Sequence, residues 1–202
     1  MTAGPWNGFA VMQDHYNSCD DADKRKSGYF LVGQQYAADG SAINDQGAGG
    51  EPLVFDPVIP ALLMDATYTA VQIRMSGARV KKFEIKDGAK DNLSNDFPLF
   101  RYADVLLMKA EARIRQGQNG DEYINPIRER AGVSALSGAT LDDVLAERGR
   151  EFFWEAHRRG DLIRFGKFTQ AWWEKPASTA DRPTFPIPKW AIDANPKLGD
   201  AT

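Results

Sequence analysis

Glu147, Glu151 and Glu155 recur every four residues, so on one helix they would share a face. Two such carboxyls, about 5–10 Å apart, could act as the acid and base of a glycoside hydrolase. The same stretch also carries Arg148, Arg150, Arg158, Arg159 and Arg164. Interleaved guanidinium and carboxylate groups form bidentate ion pairs that lock one segment to the next. A catalytic acid needs the opposite, a pKa raised by an apolar pocket without neighbouring cations. Glu147, Arg148, Glu151, Glu155, Arg158, Asp161 and Arg164 are therefore read as a structural ion-pair network. Hydrolysis by Glu147, Glu151 or Glu155 is the alternative.

Other chemistry is short of material. His15 and His157 are the only histidines, and Cys19 is a lone cysteine that excludes an intrachain disulfide. Neither a His-Glu-x-x-His nor a Cys-x-x-Cys pair occurs. Asp20, Asp21 and Asp23 could lend oxygens to a calcium ion, but their spacing is not that of an EF-hand and Lys24, Arg25 and Lys26 follow at once. They read as a solvated turn, and no metal or cofactor is expected. Gly47–Gly50 leads into Glu51-Pro52 and not into a helix, which removes the context of a phosphate-cradling loop. A net charge of -3 argues against a nucleic-acid surface, whose affinity comes from neutralised phosphates.

Aromatic side chains remain. Trp6, Tyr16, Tyr36, Tyr68, Trp172 and Trp173 lie in or beside loop-like segments, where rings can stack on the apolar faces of sugars. Most large aromatics serve as core or loop anchors. Trp6 and Asn7, in a glycine-flanked turn, are the least core-like. Trp6, Asn7 and Tyr16 are the candidate glycan contacts.

The elements that must position these groups divide by texture. Residues 1–97 are turn-rich, with β-compatible runs at Gly28–Gln34, Thr67–Met75 and Ala78–Ile85 and a long loop at Gln35–Pro52. From residue 98 the pattern is helical. Ala103, Leu106, Leu107, Ala110 and Ile114 form one apolar stripe, with Asp104, Lys109, Glu111, Arg113 and Arg115 on the other faces and Gly117 as the stop. A second helix lies within Asp121–Ala131; either Asn125 caps it at Pro126, or Pro126 kinks it. Thr140-Leu-Asp-Asp143 starts a third, which Gly160 ends, with Asp161 capping a short helix through Phe165. Phe185–Pro188 must be extended. The 43% hydrophobic and 26% charged residues suit one globular domain. No apolar run is long enough to cross a membrane, and Met1–Ala10 is not a charged-then-apolar leader.

Arg101-Tyr-Ala-Asp-Val-Leu-Leu-Met-Lys-Ala-Glu-Ala112 closely resembles a signature of the SusD/RagB family. The order Asn125-x-x-Arg128-x-Arg130-Ala-Gly132, Glu147-Arg148, Glu151 to Glu155, Arg158-x-x-Asp161-Leu-Ile-Arg164, Phe185-Pro-Ile-Pro188 and Asn195-Pro196 fits it too. Asn7-Gly8-Phe9 and Asp23-x-Arg25 look like its upstream elements. The resemblance implies a mainly α fold with irregular loops, a few short strands and a tetratricopeptide-like helix pair. It implies a non-catalytic oligosaccharide-binding lipoprotein on the extracellular face of the outer membrane, partnered by a SusC-like TonB-dependent transporter. A protein- or peptide-binding scaffold of the same system is the alternative. Family members are about twice as long and carry a lipidated N-terminal cysteine. The chain is therefore expected to be one SusD/RagB-like C-terminal domain, residues 1–202, lacking an N-terminal helical half and the lipid anchor that would tie it to the membrane.

Overall fold

The structure, a computed structural model, describes residues 9–83, 88 and 94–201. It divides into two compact units, Met1–Arg158 and Arg159–Thr202. The change of texture near residue 97 thus falls inside the first unit.

Most of the regular structure of the first unit is helix. Its strands are β1 (Ala10–Val11), β2 (Phe30–Leu31), β3 (Gly33–Gln34), β4 (Asn44–Asp45), β5 (Glu51–Pro52), β6 (Val54–Phe55) and β7 (Ala78–Val80). Its helices are α1 (Gln13–Asn17), α2 (Lys24–Tyr29), α3 (Ala70–Met75), α4 (Tyr102–Arg115), α5 (Asp121–Ala131) and α6 (Leu141–Glu151). Strand β7 lies between β1 and β2, antiparallel to both, with Val11 opposite Ala78 and Phe30 opposite Val80. Their inward side chains, Val11, Phe30 and Ala78, form a small core with Cys19, against which Tyr16, Tyr29, Val80 and Phe153 pack. Gly77 makes this sheet possible: its φ is +80°, and a Cβ there would come within 2.6 Å of the Ala10 Cβ.

A second core lies between α4, α5 and α6. The three helices pack on one another, and Leu107 and Ala110 of α4, Ile124 and Ile127 of α5 and Val144 of α6 are all buried. Helix α4 ends before Gly117, in the left-handed region at φ +72°, and α5 ends at Gly132, at φ +81°. Pro126 sits inside α5 and not at its first turn, while Asn125 brackets Leu136 through its amide, at 2.9 and 2.8 Å. Thr140 and Asp143 close the capping box of α6.

Four local expectations need correction. Thr67–Met75 is not a strand: Thr69 and Gln72 form a capping box that starts α3. Asp104 and Glu111 are not on the solvent faces of α4; both are buried, and each accepts a hydrogen bond from an arginine, Arg148 at 2.8 Å and Arg115 at 2.9 Å. Helix α6 stops at Glu151, well short of Gly160, which lies inside the next helix, α7 (Arg158–Arg164). The reason is a tight turn in which Trp154 and Ala156 adopt φ of +64° and +63°. Left-handed backbone costs a residue with a side chain about 1–2 kcal/mol. Ala156 is exposed, so Ala156→Gly is expected to raise stability by about 1 kcal/mol. Urea unfolding would read the gain, and an unchanged or lower midpoint would refute the strain. Of Ala78–Ile85 only Ala78–Val80 is strand, and residues 84 and 85 lie outside the described residues.

The second unit holds most of α7, helix α8 (Lys189–Ala194) and a terminal 3-10 turn. Arg159 carries its guanidinium over the rings of Phe168 and Phe185, at 5.1 and 4.5 Å, and donates to the Pro183 carbonyl at 3.0 Å. Residues 185–188 belong to no helix or strand, and Pro188, at φ -59° and ψ 138°, precedes α8. Among the described residues no helix is long and apolar enough to cross a membrane.

Candidate functional site

The densest polar feature of the first unit is built on α6 and the turn behind it. Glu147 and Glu151, one helical turn apart, are both completely buried. Three segments bring cations to them. Asp23 caps α2 by accepting from the Arg25 backbone N–H at 2.9 Å, which aims the Arg25 side chain inward. Its guanidinium then bridges Asp23 at 2.8 Å, Glu147 at 2.6 Å and Glu151 at 3.0 Å. Helix α5 supplies Arg128 to Glu147 at 3.0 Å and Arg130 to Glu151 at 2.6 Å. Arg101, just before α4, spans Glu151 at 2.6 Å and Glu155 at 2.7 Å, and donates to the Glu151 carbonyl at 2.8 Å. Lys82 also holds Glu155 and the Glu151 carbonyl. Arg150 completes Glu147 from within α6, at 2.7 Å.

Most of the cations that hold the three glutamates in these contacts thus lie outside the segment that carries them. Of the interleaved arginines, Arg150 reaches Glu147 of the ladder. Arg148 pairs with Asp104, Arg158 donates to the Leu145 carbonyl at 3.0 Å, and Arg164 pairs with Asp161 at 2.8 Å in the second unit. Arg25, Lys82, Arg101, Arg128 and Arg130 come from elsewhere in the chain. Helical spacing reveals neighbours three or four residues away and carries no information about them.

The electrostatics follow from this crowding. Burial pushes the Glu147 carboxyl upward, but the charges of Arg25 and Arg150 outweigh it and hold the group below its ordinary range. Glu155 behaves likewise, with hydrogen bonds from Arg101 and Lys82 overcoming burial. Burial disfavours the charged Arg25 side chain, yet Asp23 and Glu147 raise its pKa on balance. Both oxygens of Glu147, Glu151 and Glu155 already accept from a cation. Glu147 and Glu155, held below their ordinary range, are poor proton donors at neutral pH, and the three paired carboxylates suit a fixed joint between segments.

Three consecutive rings leave this joint in different directions. Phe152 is buried under the guanidinium groups of Arg101 and Arg148, 4.6 and 4.9 Å from its centroid. Phe153 joins the small core and stacks on His15 at 4.8 Å. Trp154 stays 46% exposed. Of the candidate glycan contacts, Trp6 and Asn7 lie outside the described residues. Tyr16 is half-buried, with Phe30 edge-on at 5.5 Å and the Lys26 ammonium 4.6 Å from its ring centroid. Asp21 pairs with Lys26 at 2.8 Å and Asp23 with Arg25, while Asp20 is exposed. No group of metal-binding side chains occurs among the described residues.

Comparison with known proteins fits this architecture. Starch-binding protein SusD of Bacteroides thetaiotaomicron is 44% identical over 75 residues, which are 37% of this chain and 14% of that protein. A SusD-like protein of Formosa agariphila is 35% identical over 115 residues, 50% of this chain and 23% of its own length. The matched stretches thus span less than a quarter of either relative. Surface glycan-binding protein A from Bacteroides uniformis superposes over 91% of this chain and 38% of its own, with a TM-score of 0.59 at 23% identity, a likeness of fold. The sequence model described as the SusD family matches residues 3–181, and the chain belongs to that family.

Proposed function

We propose that this chain is part of a non-catalytic glycan-binding protein of the outer membrane, exposed to the outside and handing oligosaccharides to a SusC-like TonB-dependent transporter. The observation that carries this reading is the 44% identity to a starch-binding protein. The engagement of Glu147, Glu151 and Glu155 by cations supports binding without turnover. Trp6, Asn7 and Tyr16 remain the proposed contacts, a ring to stack on a sugar face and polar groups for its hydroxyls.

Titration with a panel of soluble oligosaccharides, beginning with maltoheptaose, is expected to give saturable binding with no release of new reducing ends. Trp6→Ala should weaken that binding about tenfold, roughly 1.4 kcal/mol, with the melting temperature unchanged. Equal affinity of the variant would remove Trp6 from the site. Turnover abolished by Glu151→Gln in a folded protein would replace the whole reading with hydrolysis.

A second reading, a scaffold for a protein or peptide, draws on one feature of α4. Tyr102, Val105 and Met108 recur every three residues along an exposed stripe, beside the exposed Leu99 and Phe100. Co-purification with the transporter, combined with flat glycan titrations, would favour it.

A further inference from the structure

Among the exposed aromatics of the described residues, Trp154 shares a left-handed backbone with Phe83 but is the one set between two ion-paired glutamates. Its backbone lies in the left-handed region at φ +64°, a conformation rare for a large side chain, while its indole is 46% exposed. The ring tilts against Phe153 at 5.9 Å, and the rest of it faces outward. Strained positions of this kind persist only where the surroundings over-determine them, and here they do. On one side Glu151 is fixed by Arg25, Arg101 and Arg130 through its carboxylate, and by Arg101 and Lys82 through its carbonyl. On the other, Glu155 is fixed by Arg101 and Lys82. Phe153 is held in the core by His15 and Phe30, at 4.8 and 5.1 Å. The ring of Trp154 is therefore presented by a turn with little freedom left.

Its flank is aromatic as well. Phe9, two residues after Asn7 in the chain, is 66% exposed and meets Trp154 edge to face, with centroids 5.6 Å apart and planes at 72°. Two exposed rings near a right angle make an apolar corner. The indole adds an N–H donor. A pyranose ring fits these terms: its C–H face is apolar and rigid, and its hydroxyls accept hydrogen bonds. Immobilising Trp154 in advance lowers the ordering cost of binding. The ring of Tyr16 is less open, because Lys26 and Phe30 already contact it.

We infer that Trp154, flanked by Phe9, is a sugar-stacking residue of this protein, binding the C–H face of a neutral pyranosidic glycan. This rests on the glycan-binding reading above. The test has two parts, both on the full chain. In the first, affinities for a panel headed by maltoheptaose and xylohexaose are compared among the wild type, Trp154→Ala, Phe9→Ala and Trp190→Ala. Trp190 is an exposed indole of the second unit and serves as the control. Trp154→Ala is expected to weaken binding tenfold or more, Phe9→Ala a few-fold, and Trp190→Ala not at all. In the second, the indole Nε1–H resonance of Trp154 in the wild-type protein, assigned by its absence from Trp154→Phe, is followed during the titration. It should shift in step with saturation even if Trp154→Ala fails to fold. A glycan that binds while this resonance and the Trp154→Ala affinity stay unchanged overturns the inference and leaves the glycan reading intact. Binding of no glycan on the panel overturns both.

Discussion

Replacing Arg25 with alanine should destabilise the protein by about 3–5 kcal/mol, the cost of breaking a buried ion pair from one side. The guanidinium is 3% exposed and touches three carboxylates, Asp23, Glu147 and Glu151. Without it, three negative groups remain in a poorly hydrated space with fewer cations to balance them. Arg130 makes an equally short contact to Glu151, at 2.6 Å, but its side chain is 57% exposed. Water can replace most of what Arg130→Ala removes, so that change should cost about 1 kcal/mol or less. Arg25→Lys keeps the charge but loses the planar fork that reaches three partners at once, and should recover only part of the loss. Urea unfolding at neutral pH orders the three variants. Equal costs for Arg25→Ala and Arg130→Ala would mean that burial does not govern this network.

The second large effect is one of pH. His15 lies in α1 between Phe153, stacked at 4.8 Å, and Phe30, edge-on at 5.9 Å, and its Nε2 is buried without a hydrogen-bond partner. Burial, then the charges of Arg158 and Arg150, lower its pKa to about 4. An unfolded histidine titrates near 6.5. As pH falls below 6.5 the unfolded chain takes up a proton that the folded chain refuses, so stability declines. The decline should reach about 2 kcal/mol near pH 5 and level off at about 3 kcal/mol below pH 4. Glu147, Glu155 and Asp23, all held below their ordinary range, add their own losses only as pH falls through the carboxylate range. The interval from about 6.5 to 4.5 therefore belongs mainly to His15. In His15→Phe, which keeps a flat ring against Phe153, the stability curve should be nearly flat over that interval. A wild-type slope that survives in His15→Phe would assign the effect to another group.

Much of the helical part could be read from residue order. The apolar stripe of α4, the glycine stops after α4 and α5 and the capping box of α6 are local signals, and local structure follows them. Helix α3 was legible too, because Thr69 and Gln72 are spaced as a capping box, but the β-branched and aromatic residues around them suggest a strand more loudly. The burial of Asp104 and Glu111 was not legible. A periodic stripe assigns charged residues to solvent, and only the arrival of Arg148 from α6 makes an inward Asp104 tolerable. The turn at 152–157 hides for a similar reason: Trp154 and Ala156 carry no glycine or proline mark, and ion pairs on either side impose the backbone. Of the ion-pair network, the acids were visible as a ladder. Most of the bases were not, since they are joined to it only through tertiary contact.

Arg25 also sets an order of events during synthesis. It precedes Glu151 by 126 residues. At roughly 5–20 residues per second, that separation is about 6–25 s of translation. Throughout this interval Arg25 has one local partner, Asp23, two residues away. The two can neutralise each other within α2 as soon as they emerge. Glu147 and Glu151 arrive last, and the N-terminal sheet and the helices can be locked together only then. The joint is a late clasp, and the nascent chain carries its first half ready-made.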